Sequence, residues 1–489
     1  MSSRRRRWRS VSSTARTPPA DQLGFGPAGA HSRRIPGSNR RHTTGRSRSR
    51  STPPVASLQR DRTHLLENLA RRVAYLGLLF SGWLAVRMGG ITLGDVFLIA
   101  AIGLAIADWI SYPRRVVASP HLVGASLILL VFGAALSTAN ALRGSESIAV
   151  GMRVVLLAVI LPWVFSRLFR TTEHIQLAAT FLAASGAVVG LAMILESTTG
   201  VQLTSSDTFT SAGRLAGLTQ HVSDAGGVTS LSLAIGLGLA VGAKSRRTRW
   251  ANTALALLAT VGLVLSGSVS GFIAVAAALL TLAVAGRIRP IAALVAAGGT
   301  GLALTWTDGI QTDIGALSPT ERFIQTLGLN SGAYSSSESR MEVYRIAVDQ
   351  AATSPFVGNG LDPQSAIVAG TGFAPHNLLI AALYMGGLAF LAGICLAIYA
   401  SFAGSWLVAK SSGVASAVLA GSVGALVFSM TAPSLFNRYF WLPLALLAAL
   451  KGRALLTQPS SEAHQDRDAS DGSLMQTYSG RRPSNPRVQ

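Results

Sequence analysis

Apolar runs of about 20 residues recur along most of this chain, and no other feature constrains its fold as strongly. They lie near residues 73–89, 91–111, 121–140, 148–166, 174–195, 225–243, 250–266, 268–285, 288–305, 376–400, 412–431 and 436–451. A bilayer core takes about 17–25 residues per helix, so each run is long enough, or nearly so, to cross it. Backbone inside lipid must satisfy its own hydrogen bonds, which leaves helices or closed barrels. Runs of this length predict an all-α, polytopic membrane protein with about 12 transmembrane helices. Composition agrees, with 49% hydrophobic and only 13% charged residues.

A net charge of +21 would suggest a nucleic-acid partner if it were spread over a folded surface. Most of it belongs to one tail: residues 1–62 hold about 15 arginines against Asp21 and Asp61. Residues 1–70, rich in Arg, Ser, Thr, Pro and Gly, are expected to be a disordered cytoplasmic tail, because they bury too little apolar surface to offset chain entropy. Such an arm suits anionic lipid headgroups or a cytoplasmic partner, and it suits equally well the plain task of setting topology. With the tail inside, Arg114 and Arg115, Arg167 and Arg170, Lys244 to Arg249, Arg287 and Arg289, Lys410, and Lys451 and Arg453 fall on that same side. Residues 71–455 then form the transmembrane domain, and residues 456–489 a second disordered cytoplasmic tail. The lone cysteine, Cys395, excludes an internal disulfide.

Two outward-facing loops stand out by length, residues 196–224 and 306–375. The second contains its own helix signal. Ser339 and Glu342 fit a capping box, and Pro355 should stop the helix. Arg340, Tyr344 and Ala347 then share a face, while Arg345 points elsewhere. This helix is too short and too charged to span, so it is expected to lie on the outer membrane surface.

His376 and Asn377 open the apolar run that follows. A histidine in a helix's first turn is kept neutral by the positive end of the helix dipole. Arg153 sits several residues inside a run, where an arginine either faces a polar cavity or snorkels to the interface. Arg438, before Tyr439 and Trp441, is expected in an interfacial anchor belt. The acids of the outer loops, Asp207, Asp224, Asp308, Asp313, Glu321, Asp349 and Asp362, make no cluster of metal-ligand spacing, and Asp466 with Asp468 falls in the inner tail. No glycine run ends in GK[ST].

The order Arg340, Tyr344, Pro355, Gly358, Gly360, His376, Asn377 resembles that of the O-antigen ligase/polymerase (Wzy/WaaL-like) membrane proteins. Arg214, Leu215, Ala216 and Gly217, followed by a polar run through His221, are similar to the family's first arginine-bearing loop, and Ser266 to Gly271 to its Ser/Gly-rich lead into a later helix. The chain departs from the pattern at Ser270, where many members have an arginine, and at Phe390, which leans towards polymerase over ligase. The resemblance implies transfer of a polyprenyl-diphosphate-linked glycan to an acceptor hydroxyl, glycan or lipid, at the outer face of the plasma membrane. With it go a diphosphate clamp drawn from Arg214 and Arg340, with Arg345 third, His376 as base, and Asn377, Tyr344 and His221 in support; Arg153 joins the anion-binding candidates on its place inside an apolar run alone. Guanidinium forks suit phosphate oxygens, although the same arginines would also suit lipid headgroups or Glu338 and Glu342. The activated carrier makes a metal or nucleotide cofactor unnecessary, and no nucleic acid is expected; other polysaccharide-assembly proteins are natural partners.

A secondary transporter or lipid-linked glycan flippase is the competing expectation, since it too would have about twelve helices. Transporters gather charge near the membrane midplane, whereas here the polar signal gathers in the outer loops. A regulatory membrane protein with a nucleic-acid-binding tail would rest on the basic arm alone.

Overall fold

A computed structural model describes residues 55–88, 91–111, 120–203, 214–293, 295, 298–299, 336–432 and 434–457. The arginine-rich residues 1–54, Arg114, Arg115, Asp207, most of the run 288–305, residues 306–335 with Asp308, Asp313 and Glu321, and residues 458–489 lie outside the described residues.

Helix α1, Val55–Leu79, leads through a tight helical turn at Phe80–Gly82 into a two-stranded hairpin, β1 Arg87–Met88 and β2 Ile91–Thr92, with Arg87 opposite Thr92. Helices α2 Leu93–Ser111, α3 Pro120–Thr138 and α4 Gly144–Val155 follow. A π-helical turn at Leu156–Ile160 joins α4 to α5, Leu161–Leu168. Next come α6 Thr172–Thr199, α7 Val222–Gly242, α8 Arg246–Ser266 and α9 Val269–Val284. Past residues 300–335 the helices are α10 Ser336–Thr353, α11 Leu378–Phe402, α12 Ser405–Ser411, α13 Gly413–Ser429 and α14 Arg438–Thr457.

Side-chain caps start several of these helices. Thr171, Ser245 and Ser268 each accept a backbone N–H three residues on, which satisfies one of the donors a helix start leaves free. Among the described residues, seven segments are long and apolar enough to cross a membrane: Leu93–Ser111, His121–Thr138, Gly144–Leu168, Thr172–Thr199, Val222–Gly242, Arg246–Ser266 and Leu378–Ser411. Val269–Val284 and Gly413–Ser429 are apolar but shorter. The chain is thus a mostly helical, multi-pass membrane protein.

Four local readings change. The segment 55–70, expected as tail, belongs to α1: Glu67, Ala70, Arg71 and Ala74 share one helix face, where Ala70 and Ala74 are buried and Glu67 pairs with Arg71 at 2.7 Å. The run 73–89 is no separate span, since α1 stops at Leu79 and the chain turns into the hairpin. Helix α10 begins three residues before Ser339, so Ser339 lies inside it and is not its cap. The run 376–400, expected as one span, is broken inside α11 at Gly387 (φ 71°, ψ −176°).

Small residues bring the helices close. Gly190 on α6 faces Gly262 on α8, and Gly186 meets Ser232 of α7, whose hydroxyl accepts the Gly186 N–H at 3.0 Å. Helix α7 is the most enclosed of the seven, packed by α6, α8, α9 and α13.

Candidate functional site

Helices α7, α11 and α14 begin beside one another. His221 caps α7 through Nδ1, which accepts the Ser223 N–H at 3.4 Å. Asn377 caps α11: its Oδ1 accepts from Leu379 N and Ile380 N at 3.0 and 3.1 Å, while its Nδ2 donates to Met430 O at 3.1 Å. The segment 434–437 runs between α13 and α14 and closes the group. All of these helices run away from this end. They finish near basic residues: α7 before Lys244, and α14 near Lys451, whose Nζ donates to Ala400 O at 3.3 Å late in α11.

A cavity of about 520 Å³ opens where the helices begin, lined by His221, Asp224, His376, Asn377, Phe436 and Asn437 among others. His221 and His376, far apart in sequence, therefore share one space. The His376 ring is shifted below its ordinary value, first by burial, then by the positive charge of Arg340, then by His221. It is neutral near pH 7 and able to accept a proton. Asp224 Oδ1 accepts from Asn437 Nδ2 and Tyr439 Oη, both at 3.1 Å, and Asn437 Nδ2 also lies 2.8 Å from Tyr439 Oη.

The approach to His376 is built by α10 and the turn after it. Val343, Ala347 and Ala351 form the buried face of α10, which packs on α11. Arg340 is exposed and Tyr344 half-buried; burial raises the Tyr344 hydroxyl's pKa against the opposing charge of Arg340. After Pro355 the turn docks into the break in α11. Asn359 N donates to Tyr384 O and Gly360 N to Met385 O, both at 3.0 Å, and Leu388 N returns a bond to Pro355 O at 2.7 Å. These bonds replace helical ones that the break would leave unmade. Gly358 (φ 71°) has to be glycine twice over: a Cβ there would stand 2.4 Å from Met385 O.

Beside the cavity lies a second polar group that the sequence reading missed. Arg438 is wholly buried and contacts Asp95 Oδ1 at 2.5 Å, and it also hydrogen-bonds Thr92. Arg438 is therefore an interior ion-pair partner and not part of an anchor belt; Asp95, in the first turn of α2, supplies the countercharge that makes burial tolerable. Arg153, half-exposed at the end of α4, reaches the same Asp95 oxygen at 4.0 Å. Arg87 of the hairpin hydrogen-bonds Gln220 of the cavity wall. Arg167, read as a loop cation, is instead buried against Asp108 at 2.8 Å.

The remaining expected residues lie apart from the cavity. Arg214 Nε donates to Ser266 O at 2.7 Å, so it seats against the α8–α9 turn, where Gly267 is left-handed. Arg345 is exposed and held by Glu342 and Asp349 at 2.8 and 3.5 Å. The cavity thus gathers His376, Asn377 and His221, with the charge of Arg340 reaching His376; Arg214, Arg345 and Arg153 do not line it. In the sequence Asp224 reads only as an outer-loop acid and Tyr439 only as a neighbour of the anchor belt, and Asn437 is not read at all. Their signal was an acid just after His221 at the head of an apolar run, where a charge is expensive and tends to mark a polar cavity.

No family model matches the chain, and no curated protein matches it either.

Proposed function

We propose that this chain is a membrane glycosyltransferase that moves a glycan from a polyprenyl diphosphate carrier to an acceptor hydroxyl at the outer face of the plasma membrane, as a polysaccharide polymerase or ligase. The observation that carries the reading is the cavity shared by His376, His221 and Asn377 and influenced by Arg340, because these are the residues on which the Wzy/WaaL resemblance rests. In the reaction the acceptor oxygen bonds to the anomeric carbon, the bond from that carbon to the diphosphate oxygen breaks, and its electron pair leaves on the diphosphate. His376 Nδ1 or Nε2 takes the hydroxyl proton. Negative charge grows on the leaving group, and Arg340, whose charge reaches His376, with Arg87, bonded to Gln220 of the cavity wall, would stabilise it. The carrier supplies the activation, so neither metal nor nucleotide takes part.

About twelve spans with both termini in the cytoplasm complete this reading. Support comes from the basic loops after α7 and α14, which lie at the helix ends away from the cavity, as expected of the inner face.

A transporter or lipid-linked glycan flippase is favoured by one observation, the broken helix α11, since discontinuous helices mark many transport sites. The break is occupied by the chain's own turn at residues 355–360, which leaves it no room for cargo and favours the transferase. Purified protein in liposomes, given a lipid-linked oligosaccharide and an acceptor but no nucleotide, is expected to release polyprenyl diphosphate and lengthen the acceptor. Activity should fall at least about a hundredfold in His376→Ala and Arg340→Ala. An inactive wild-type protein, or unchanged activity in both variants, would end the proposal.

A further inference from the structure

Asp224 is built into the cavity in a way that the transferase reading leaves unused. Two donors, Asn437 Nδ2 and Tyr439 Oη, hold its Oδ1 at 3.1 Å each. Among the described residues both hydrogen bonds to its side chain go to Oδ1 and none to Oδ2, and Asp224 lines the cavity. A carboxylate fixed through one oxygen and open at the other is preorganised to receive a hydroxyl donor.

The surroundings narrow the ligand's chemistry. Arg87 bonds the adjoining Gln220, so a second cation would meet repulsion here. An anion would meet the carboxylate itself. A neutral, polyhydroxylated molecule meets neither objection. Phe436, Leu435 and Met385 add apolar wall against which the C–H face of a sugar ring can lie, and His376 and Asn377 face the same space. A volume of about 520 Å³ lies within the about 300–1,000 Å³ typical of small-ligand sites.

We propose that Asp224, braced by Asn437 and Tyr439, forms the acceptor-sugar subsite: Oδ2 accepts a hydrogen bond from one hydroxyl of the acceptor saccharide and so decides which neighbouring hydroxyl faces His376. This inference rests on the transferase reading and adds to it the place and the polarity of acceptor recognition. Asp224 here is a binding group; the attacking hydroxyl's proton still goes to His376.

The test is steady-state kinetics of the full-length protein in liposomes, with donor lipid saturating and a free oligosaccharide acceptor varied. In Asp224→Asn, which keeps size and shape, the KM for acceptor is expected to rise about tenfold or more while kcat stays within about threefold. Tyr439→Phe, which removes one of the two braces, should raise the same KM by a smaller factor, and it serves if the Asn variant is poorly folded. An unchanged acceptor KM in both variants overturns the subsite, as does a fall in kcat with KM unmoved. If wild-type protein turns over and the variants bind acceptor normally, only the subsite falls. If wild-type protein neither releases polyprenyl diphosphate nor extends the acceptor, the transferase reading falls and takes the subsite with it.

Discussion

Arg438 and Asp95 meet at 2.5 Å in a place where the arginine side chain has no exposure, while the aspartate keeps a fifth of its own. The pair ties the start of α14 to the start of α2, near the hairpin that carries Arg87. Removing one partner of a buried pair costs about 3–5 kcal/mol, because the other is left charged in a poor solvent. The two single variants should differ. Arg438→Met leaves Asp95 with Arg153 at 4.0 Å, whereas Asp95→Asn strands a wholly buried guanidinium. Thermal unfolding in detergent should therefore show Asp95→Asn as the less stable variant, and Asp95→Leu combined with Arg438→Met should recover most of the loss.

Gly358, Gly387 and Gly404 have nearly the same φ, 71°, 71° and 75°, but different neighbours. A Cβ on Gly358 would lie 2.4 Å from Met385 O and one on Gly387 2.5 Å from Phe356 O, whereas one on Gly404 would meet no atom within 4 Å. Gly404→Ala should lose only the left-handed penalty, about 1–2 kcal/mol. Gly358→Ala and Gly387→Ala should lose clearly more, since backbone must move for the turn to stay docked. Comparable melting temperatures for all three variants would show that the turn does not sit in the break.

These glycines also mark where sequence reading stops. The apolar runs announced the helices because length and hydrophobicity are local properties, and Pro355 ended α10 as expected. The break at Gly387 was invisible: Gly386 and Gly387 inside an apolar run look like packing residues until a turn 30 residues earlier supplies the missing bonds. The same holds at the cavity. His376 and Asn377 were legible from their place at a helix start, but Asp224 gains its meaning only from Asn437 and Tyr439, more than 200 residues away. Arg438 reads as an interfacial anchor and Asp95 draws no reading, and only the fold makes them a pair.

Asn377 does two jobs that substitution can separate. Its Oδ1 caps α11 and its Nδ2 ties that helix to Met430 O after α13. Asn377→Ser keeps a capping oxygen but is too short for the tether, and Asn377→Ala loses both. The alanine variant should be less stable than the serine variant by about 1 kcal/mol, the usual worth of a cap. Equal stabilities would mean that α11 does not depend on this cap.

Protonation of His376 gives the last prediction its sign. The ordinary value near 6.5 is lowered by burial first, then by Arg340, then by His221. The folded ring thus stays neutral to a pH below 6.5, where an unfolded chain already binds the proton. Stability should therefore weaken as pH falls from about 6.5 through the lowered value, and any activity that needs a neutral ring should show its acid limb below 6.5. Arg340→Gln removes a neighbouring positive charge, so protonation becomes easier and the acid limb should move to higher pH. The shift should be incomplete, because burial is the larger cause and remains. Histidine-selective NMR titration reads the ring directly, and the pH–rate profile should move in step with it. An acid limb that stays in place in Arg340→Gln would mean that Arg340 does not act on this ring, and would remove the arginine from the site.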